Sequence, residues 1–134
     1  MKIIKTNLEG VFKFEAIPVS DDRGSLSRLY CKKILDKEGI QFNVKQISSV
    51  LNPKKFTLRG LHFQKEPKKE NKIIFCLQGK IWDVVVDLRK NSKSFKQWAA
   101  FELGENCSKG LLIPKGYAHG YLTISNNVSL LYYM

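Results

Sequence analysis

Histidine and cysteine are both scarce in this chain of 134 residues, and their scarcity narrows the chemistry open to it. Two histidines, His62 and His119, with no His-x-His pair, cannot supply the three-histidine-and-carboxylate set that metal-holding β-barrels use. No metal is therefore expected. The cysteines number three, an odd count, and Cys31, Cys76 and Cys107 stand far apart with no Cys-x-x-Cys pair. That excludes a disulfide framework and a zinc knuckle. Cys76, inside the apolar stretch Ile73–Leu77, reads as a small core residue. No apolar run approaches the roughly 20 residues that cross a bilayer, so no membrane partner is expected. The opening MKIIKTNLEG lacks the roughly 7–15-residue apolar core of a secretion signal, which makes the cytoplasm the expected location. With no internal repeat, low-complexity tract or linker, residues 1–134 read as one domain around one core.

What is present is charge of one sign. The net charge is +11, and such an excess favours an anionic partner: nucleic acid, an acidic surface or a phosphorylated small molecule. The cations are scattered, as at Lys32-Lys33, Lys54-Lys55 and Lys68-Lys69. No basic stripe interleaved with aromatics emerges, so nucleic acid is not expected as a partner.

Stretches rich in β-branched and aromatic residues recur at short intervals: Val11–Ile17, Phe42–Val50, Ile73–Leu77, Ile81–Leu88, Gln97–Leu103, Gly110–Ile113, Tyr121–Ile124 and Val128–Tyr133. Turn-forming pieces part them, among them Ser20–Gly24, Leu77–Gly79, Pro114–Gly116 and Ser125–Asn127. This spacing predicts an all-β sandwich or barrel. Leu29–Lys37 alone suggests a short helix. In Ile81–Leu88, Trp82, Val84, Val86 and Leu88 alternate with Ile81, Asp83, Val85 and Asp87. The purely apolar set is expected in the core. The set with two carboxylates either lines a polar cavity or faces water.

Both histidines sit beside glycines, His62 in Leu58-Arg59-Gly60-Leu61-His62-Phe63-Gln64 and His119 in Ile113–Gly120. Glycines let a backbone pass close to a ligand or bend to re-aim a side chain. Removing a proton from carbon next to a ketone needs a base near neutral pKa, a cation on the enolate oxygen and an acid on the other face. His62, Lys72, His119 and Tyr132 are the residue types that such chemistry needs.

The runs Arg59-Gly60-Leu61-His62-Phe63-Gln64, Glu70-Asn71-Lys72, Gly79–Arg89, Ser92–Phe95, Ile113–Gly120 and Leu131-Tyr132, with the early Asp21-Asp22-Arg23-Gly24, resemble the dTDP-4-dehydrorhamnose 3,5-epimerase family in order and separation. The resemblance implies a jelly-roll (cupin-like) β-barrel, a homodimer, and no metal or organic cofactor. It implies a nucleoside-diphosphate-linked 4-keto-6-deoxy sugar as substrate. On this likeness His62 is the base, Tyr132 the acid and Lys72 the stabiliser of the enolate oxygen. Arg23, Gln46 and Arg59 would bind substrate, and His119 would line the sugar pocket. Arginine suits a diphosphate because its guanidinium binds phosphate oxygens in bidentate fashion. The alternative is a barrel that binds the nucleotide sugar without turning it over.

Members of that family extend past the tyrosine with a segment whose carboxylate pairs with the catalytic histidine. The 1–134 domain is expected to lack that segment, which makes Asp83 the candidate supporting carboxylate. Two further departures are Ser25-Leu26-Ser27-Arg28, with Arg28 where a carboxylate is usual, and Gln46-Ile47-Ser48 in place of Gln-x-Asn. By the resemblance the first lies near the substrate, and together they leave open which nucleotide is bound and which of C3 and C5 is inverted. Strict alternation would put Arg59 and His62 on opposite strand faces, so both can serve one site only if the backbone is irregular near Gly60. Dimerisation is expected to use the apolar segment Met1–Thr6 as a strand added to a partner's sheet.

Overall fold

Alternating and continuous apolar stretches fold into twelve strands and one helix, seen in a computed structural model that describes residues 1–104 and 109–134. Cys107 lies outside the described residues. The strands are β1 (Lys2–Lys5), β2 (Phe12–Glu15), β3 (Val19–Asp21), β4 (Gly24–Leu26), β5 (Ile47–Asn52), β6 (Leu58–His62), β7 (Lys72–Gln78), β8 (Lys80–Asp87), β9 (Trp98–Gly104), β10 (Lys109–Ile113), β11 (Tyr117–Thr123) and β12 (Val128–Tyr133). The helix, α1, is Lys32–Lys37, shorter than Leu29–Lys37, although Leu29 and Tyr30 still pack into the same core cluster. A six-stranded sheet runs β1-β2-β10-β7-β12-β5, and a four-stranded sheet runs β6-β11-β8-β9. The expected all-β, jelly-roll-like architecture is present. The sheets face each other but do not close into a ring.

Two clusters hold the sheets. Between them lie Ile74, Cys76, Leu111, Ile113 and Leu130 of the large sheet and Ile81, Val85, Leu103, Tyr117 and Tyr121 of the small one. On the outer face of the large sheet a second cluster gathers Phe14, Ile73, Phe75 and Leu112 under Leu35, Ile40 and Phe42. β7 is thus covered on both faces, which explains why its sequence is an unbroken apolar run rather than an alternating one. The helix that supplies Leu35 ends in a Schellman motif. Gly39 takes φ +71°, the Ile40 amide donates to the Leu35 carbonyl at 2.9 Å, and the Gly39 amide donates to Asp36 at 3.0 Å.

Several expectations are corrected. Trp82, Val84 and Val86 do not enter the core: Trp82 is exposed and the two valines are half-buried on the outer face of the small sheet. Asp83 and Asp87 point inward and are fully buried. Alternation alone could not choose between two largely apolar faces. Polar partners chose: Asp87 finds several donors inside and Asp83 finds one, His119. Asp87 accepts from Arg89 Nε at 3.0 Å and from the Ser92 and Ser94 hydroxyls, each at 2.6 Å. Burial alone would raise its pKa, but these bonds prevail and hold the carboxyl far below its ordinary range. Met1–Thr6 contains β1, which pairs with β2 of the same chain and forms one edge of the six-stranded sheet. The strand expected over Phe42–Val50 begins only at Ile47, and the one expected from Tyr121 begins at Tyr117. Ser20–Gly24 is the turn of the β3–β4 hairpin, which pairs with neither large sheet. No helix among the described residues is long and apolar enough to cross a membrane.

Leu35 is the helix's only fully buried side chain, so it ties the outer cluster to the sheet. Leu35→Ala is expected to cost about 2–5 kcal/mol of folding stability, read from the urea midpoint at unchanged slope.

Candidate active site

The bulge that the pair Arg59 and His62 requires is present. His119 stands opposite His62 and Tyr121 opposite Arg59, so three steps along β6 match two along β11. Gly60, at φ +94°, carries the irregularity. A Cβ there would meet the His119 carbonyl oxygen at 2.6 Å and Gly120 Cα at 2.7 Å, so only glycine fits. As a result both Arg59 and His62 line one cleft of about 440 Å³.

That cleft lies between the two sheets. β6 contributes Arg59 and His62, followed by Phe63 and Gln64; β11 contributes Tyr121. From the large sheet come Ser48 and Val50 of β5, Lys72 of β7 with Glu70 just before it, and Tyr132 of β12 with Met134. The Lys72 ammonium sits 3.3 Å from Glu70 Oε1. Arg59 Nε donates to Asn52 Oδ1 at 2.9 Å, and Asn52 Nδ2 donates to Tyr121 Oη at 3.2 Å. Those bonds hold the guanidinium against the cleft wall.

Behind the lining lies a second pair. His119 is buried, with its Nε2 2.7 Å from Asp83 Oδ2. A carboxylate in that position accepts, so Nε2 carries the proton. The His119 ring is 6.2 Å from that of His62 and 6.4 Å from that of Tyr132, which makes it a shelf behind both. His119 is thus buried behind His62 and Tyr132 and is not among the side chains named in the cleft lining. Asp83 does not pair with His62 either, because His119 takes its carboxylate. The register explains this: Val85 lies opposite His119, so Asp83 is the diagonal neighbour on the same inward face.

Burial first, then the positive fields of Lys72 and His119, push the His62 pKa below its ordinary value, while Glu70 pulls it back up. Burial, followed by neighbouring Tyr121 and Asp83, drives the Tyr132 pKa far above that of a free phenol, with Arg59 opposing. At neutral pH the histidine is an available base and the tyrosine a held proton. Arg23 is placed elsewhere. It caps the β3–β4 hairpin, its side chain 85% exposed and bonded to Asp21 at 2.6 Å, outside the cleft of its own chain. Gln46 stands at the rim: it is bonded to Ser48 Oγ at 2.9 Å, and its backbone amide donates to the Met134 carbonyl at 2.8 Å. Among the described residues, no three His, Cys, Asp or Glu side chains converge as a metal site would require. Sequence reasoning missed Asn52, Tyr121 and Glu70 as site residues. Tyr121, two residues after His119 on one strand face, could have been found by alternation.

A double-sheet β fold with a histidine, a lysine and a tyrosine converging on an inter-sheet cleft defines a cupin-like protein equipped for proton transfer. The particular family follows from comparison. The family model for dTDP-4-dehydrorhamnose 3,5-epimerase matches residues 5–134, and the chain belongs to that family. The dTDP-4-dehydrorhamnose 3,5-epimerase of Methanothermobacter thermautotrophicus is 34% identical over 93% of this chain, which spans 66% of that protein. A crystal structure of the Bacillus anthracis enzyme with TDP and pyrophosphate bound superposes with a TM-score of 0.93 at 40% identity, covering 98% of this chain and 75% of that one. The Legionella pneumophila dTDP-6-deoxy-D-glucose-3,5-epimerase, solved with dTDP-4-keto-L-rhamnose, gives 0.90 at 30% identity, over 98% and 70%. The chain thus spans two thirds to three quarters of these relatives' length.

Gly60→Ala forces a side chain into a left-handed backbone against β11. It is expected to cost about 1–3 kcal/mol and to displace His62 from Arg59. Thermal melting together with loss of nucleotide binding would register both effects.

Proposed function

We propose that the chain is an epimerase that inverts C3, C5 or both of a nucleoside-diphosphate-linked 4-keto-6-deoxy sugar, through an enolate. One observation carries the reading: His62 comes from the small sheet, and Lys72 and Tyr132 come from the large sheet across one cleft. A sugar ring held between the sheets presents one face to the base and the other to the acid, which is what inversion demands. The C4 ketone acidifies the protons at both neighbouring carbons. His62, neutral at pH 7, takes one of them, and negative charge develops on the C4 oxygen. The Lys72 ammonium stabilises that oxygen. Tyr132 then returns a proton from the opposite face, and the phenolate left behind is stabilised by Arg59. Arg59 and, at the rim, Gln46 are the proposed contacts to the nucleotide, with the dTDP seen in relatives as the model ligand. His119 and Asp83 are proposed as supports rather than contacts. The cytoplasm, where nucleoside diphosphates are made, is the proposed location.

Incubation with a dTDP-4-keto-6-deoxyhexose in heavy water should place deuterium at C3 or C5. A folded protein that incorporates none at either carbon would sink the enzyme reading and leave a binding barrel. His62→Ala should lower exchange by roughly 10²–10⁴-fold. Because the base acts neutral and its pKa is depressed, kcat/KM should rise with pH through a limb below about 6.5, the ordinary histidine value.

The working unit is proposed to be a homodimer joined through the outer face of the small sheet. Leu58 is 70% exposed there and Trp98 60%, and with Leu61, Trp82, Val84, Val86 and Leu122 they line an open apolar groove of about 550 Å³. Arg59 is the one charged residue of the groove's lining, so two copies of a +11 chain can meet there without setting lysines against each other. The β3–β4 hairpin is exposed, with Val19 and Leu26 bare, and pairs with neither large sheet. Arg23 is proposed to meet substrate in the second copy's cleft. Size exclusion with light scattering should give a dimer at micromolar concentration, and Trp98→Glu a monomer. A wild-type monomer under those conditions would refute the interface.

A further inference from the structure

Among the described residues no carboxylate is bonded to His62, and the cleft contains a carboxylate that no step uses. Glu70 is the one carboxylate among the side chains lining the cleft. Its Oε1 lies 3.3 Å from Lys72 Nζ and, in a longer contact, 3.5 Å from Gln64 Nε2. The Lys72 side chain is only 9% exposed and that of Glu70 28%. A nearly buried ammonium needs a counter-charge to remain charged and in place. The other inward carboxylates are committed elsewhere, Asp83 to His119 and Asp87 to Arg89, Ser92 and Ser94.

We propose that Glu70 is a positioning residue for the proton-transfer site: its carboxylate fixes the Lys72 ammonium at the cleft wall and balances that charge as His62 feels it. The inference rests on the epimerase reading for its catalytic consequence, but not for the electrostatic coupling. An ammonium has three donors, so one bond to Glu70 leaves two for an enolate oxygen. Without Glu70, the Lys72 ammonium loses the anchor that aims it.

The charged and titratable groups around His62 come from every packed element. Lys72 and Glu70 come from β7 and the connection before it, and His119 and Tyr121 from β11. Asp83 of β8 lies behind His119, Tyr132 comes from β12, and Arg59 shares its own strand. Of these, Lys72 and His119 disfavour the imidazolium and Glu70 favours it. A base weakened too far by cations abstracts carbon-bound protons poorly, so a nearby carboxylate keeps His62 basic enough to work.

The test is an NMR titration of the two histidine rings in the free protein, assigned with His62→Asn, beside exchange kinetics on the dTDP-4-keto sugar. In Glu70→Gln the His62 titration, and with it the acid limb of kcat/KM, should move to lower pH. In Lys72→Gln the titration should move to higher pH, and in the double variant it should return towards wild type. Glu70→Asp, which keeps the charge, should leave it near wild type. Exchange by Glu70→Gln should fall by on the order of tenfold in kcat, part of the 10²–10³-fold that losing an oxyanion donor outright costs. Its KM should not rise, because a negative charge leaves a cleft that receives an anion. A folded Glu70→Gln protein whose His62 titrates as wild type overturns the proposal, as does a double variant that shifts as far as Glu70→Gln alone. If the wild type exchanges no deuterium but the paired shifts appear, the epimerase reading fails and the coupling stands.

Discussion

Two glycines facing each other across neighbouring strands set the geometry on which everything else depends. A Cβ on Gly60 would strike the backbone of His119 and Gly120, and a Cβ on Gly120 would meet the Arg59 carbonyl oxygen at 2.6 Å. The close approach lets β6 carry an extra residue against β11, and the extra residue turns Arg59 and His62 towards the same cleft. On a regular strand one of them would face the solvent side of the sheet. Arg59 and His62 therefore share a site because of backbone packing, not because of side-chain attraction.

The second constraint is the handling of charge inside an apolar sandwich. Asp83 and Asp87 occupy inward positions of the same strand, four residues apart, and their partners differ: Asp83 Oδ1 has no hydrogen-bond partner among the described residues. Asp87 gathers an arginine and two serines, becomes a firmly ionised knot, and ties the loop after β8 to Tyr117 and the Glu9 backbone through Arg89. Asp83 has His119 alone, and burial raises its pKa. The difference in donor number separates a structural carboxylate from one placed to hold an imidazole. Asp87 stabilises the frame that keeps β8 in register, and Asp83 uses that register to reach His119.

Much of this was legible in the sequence, and what was not has a physical cause. The strands over Ile73–Leu77 and Val128–Tyr133 could be read because composition and turns agree there. The bulge at Gly60 could be read because Arg59 and His62 made conflicting demands on one strand. The face of β8 could not: its two alternating sets are both rich in aliphatics, and the choice lay with Arg89, Ser92, Ser94 and His119, far from Asp83 and Asp87 in pattern if not always in number. The role of Glu70 was hidden for a related reason. Its run was visible as part of a family likeness, but only the fold shows that its carboxylate, and not that of Asp83, lies against Lys72. Arg23 was identified by likeness and placed by the structure on a hairpin that leaves its own cleft.

The net charge of +11 takes on meaning once the cleft is inventoried. Only Arg59 and Lys72 bring permanent positive charge to the cleft lining, and Glu70 offsets one of them. Nearly all the remaining cations are therefore outside, spread over the surface rather than concentrated on the reacting atoms. Spread charge of one sign raises the local concentration of an anion and speeds its approach, an effect that salt screens over about 8–10 Å. Charge concentrated beside the base would instead weaken it. On the proposed function the chain would separate two electrostatic tasks, a surface that attracts a diphosphate and a nearly balanced cleft that leaves His62 able to take a proton.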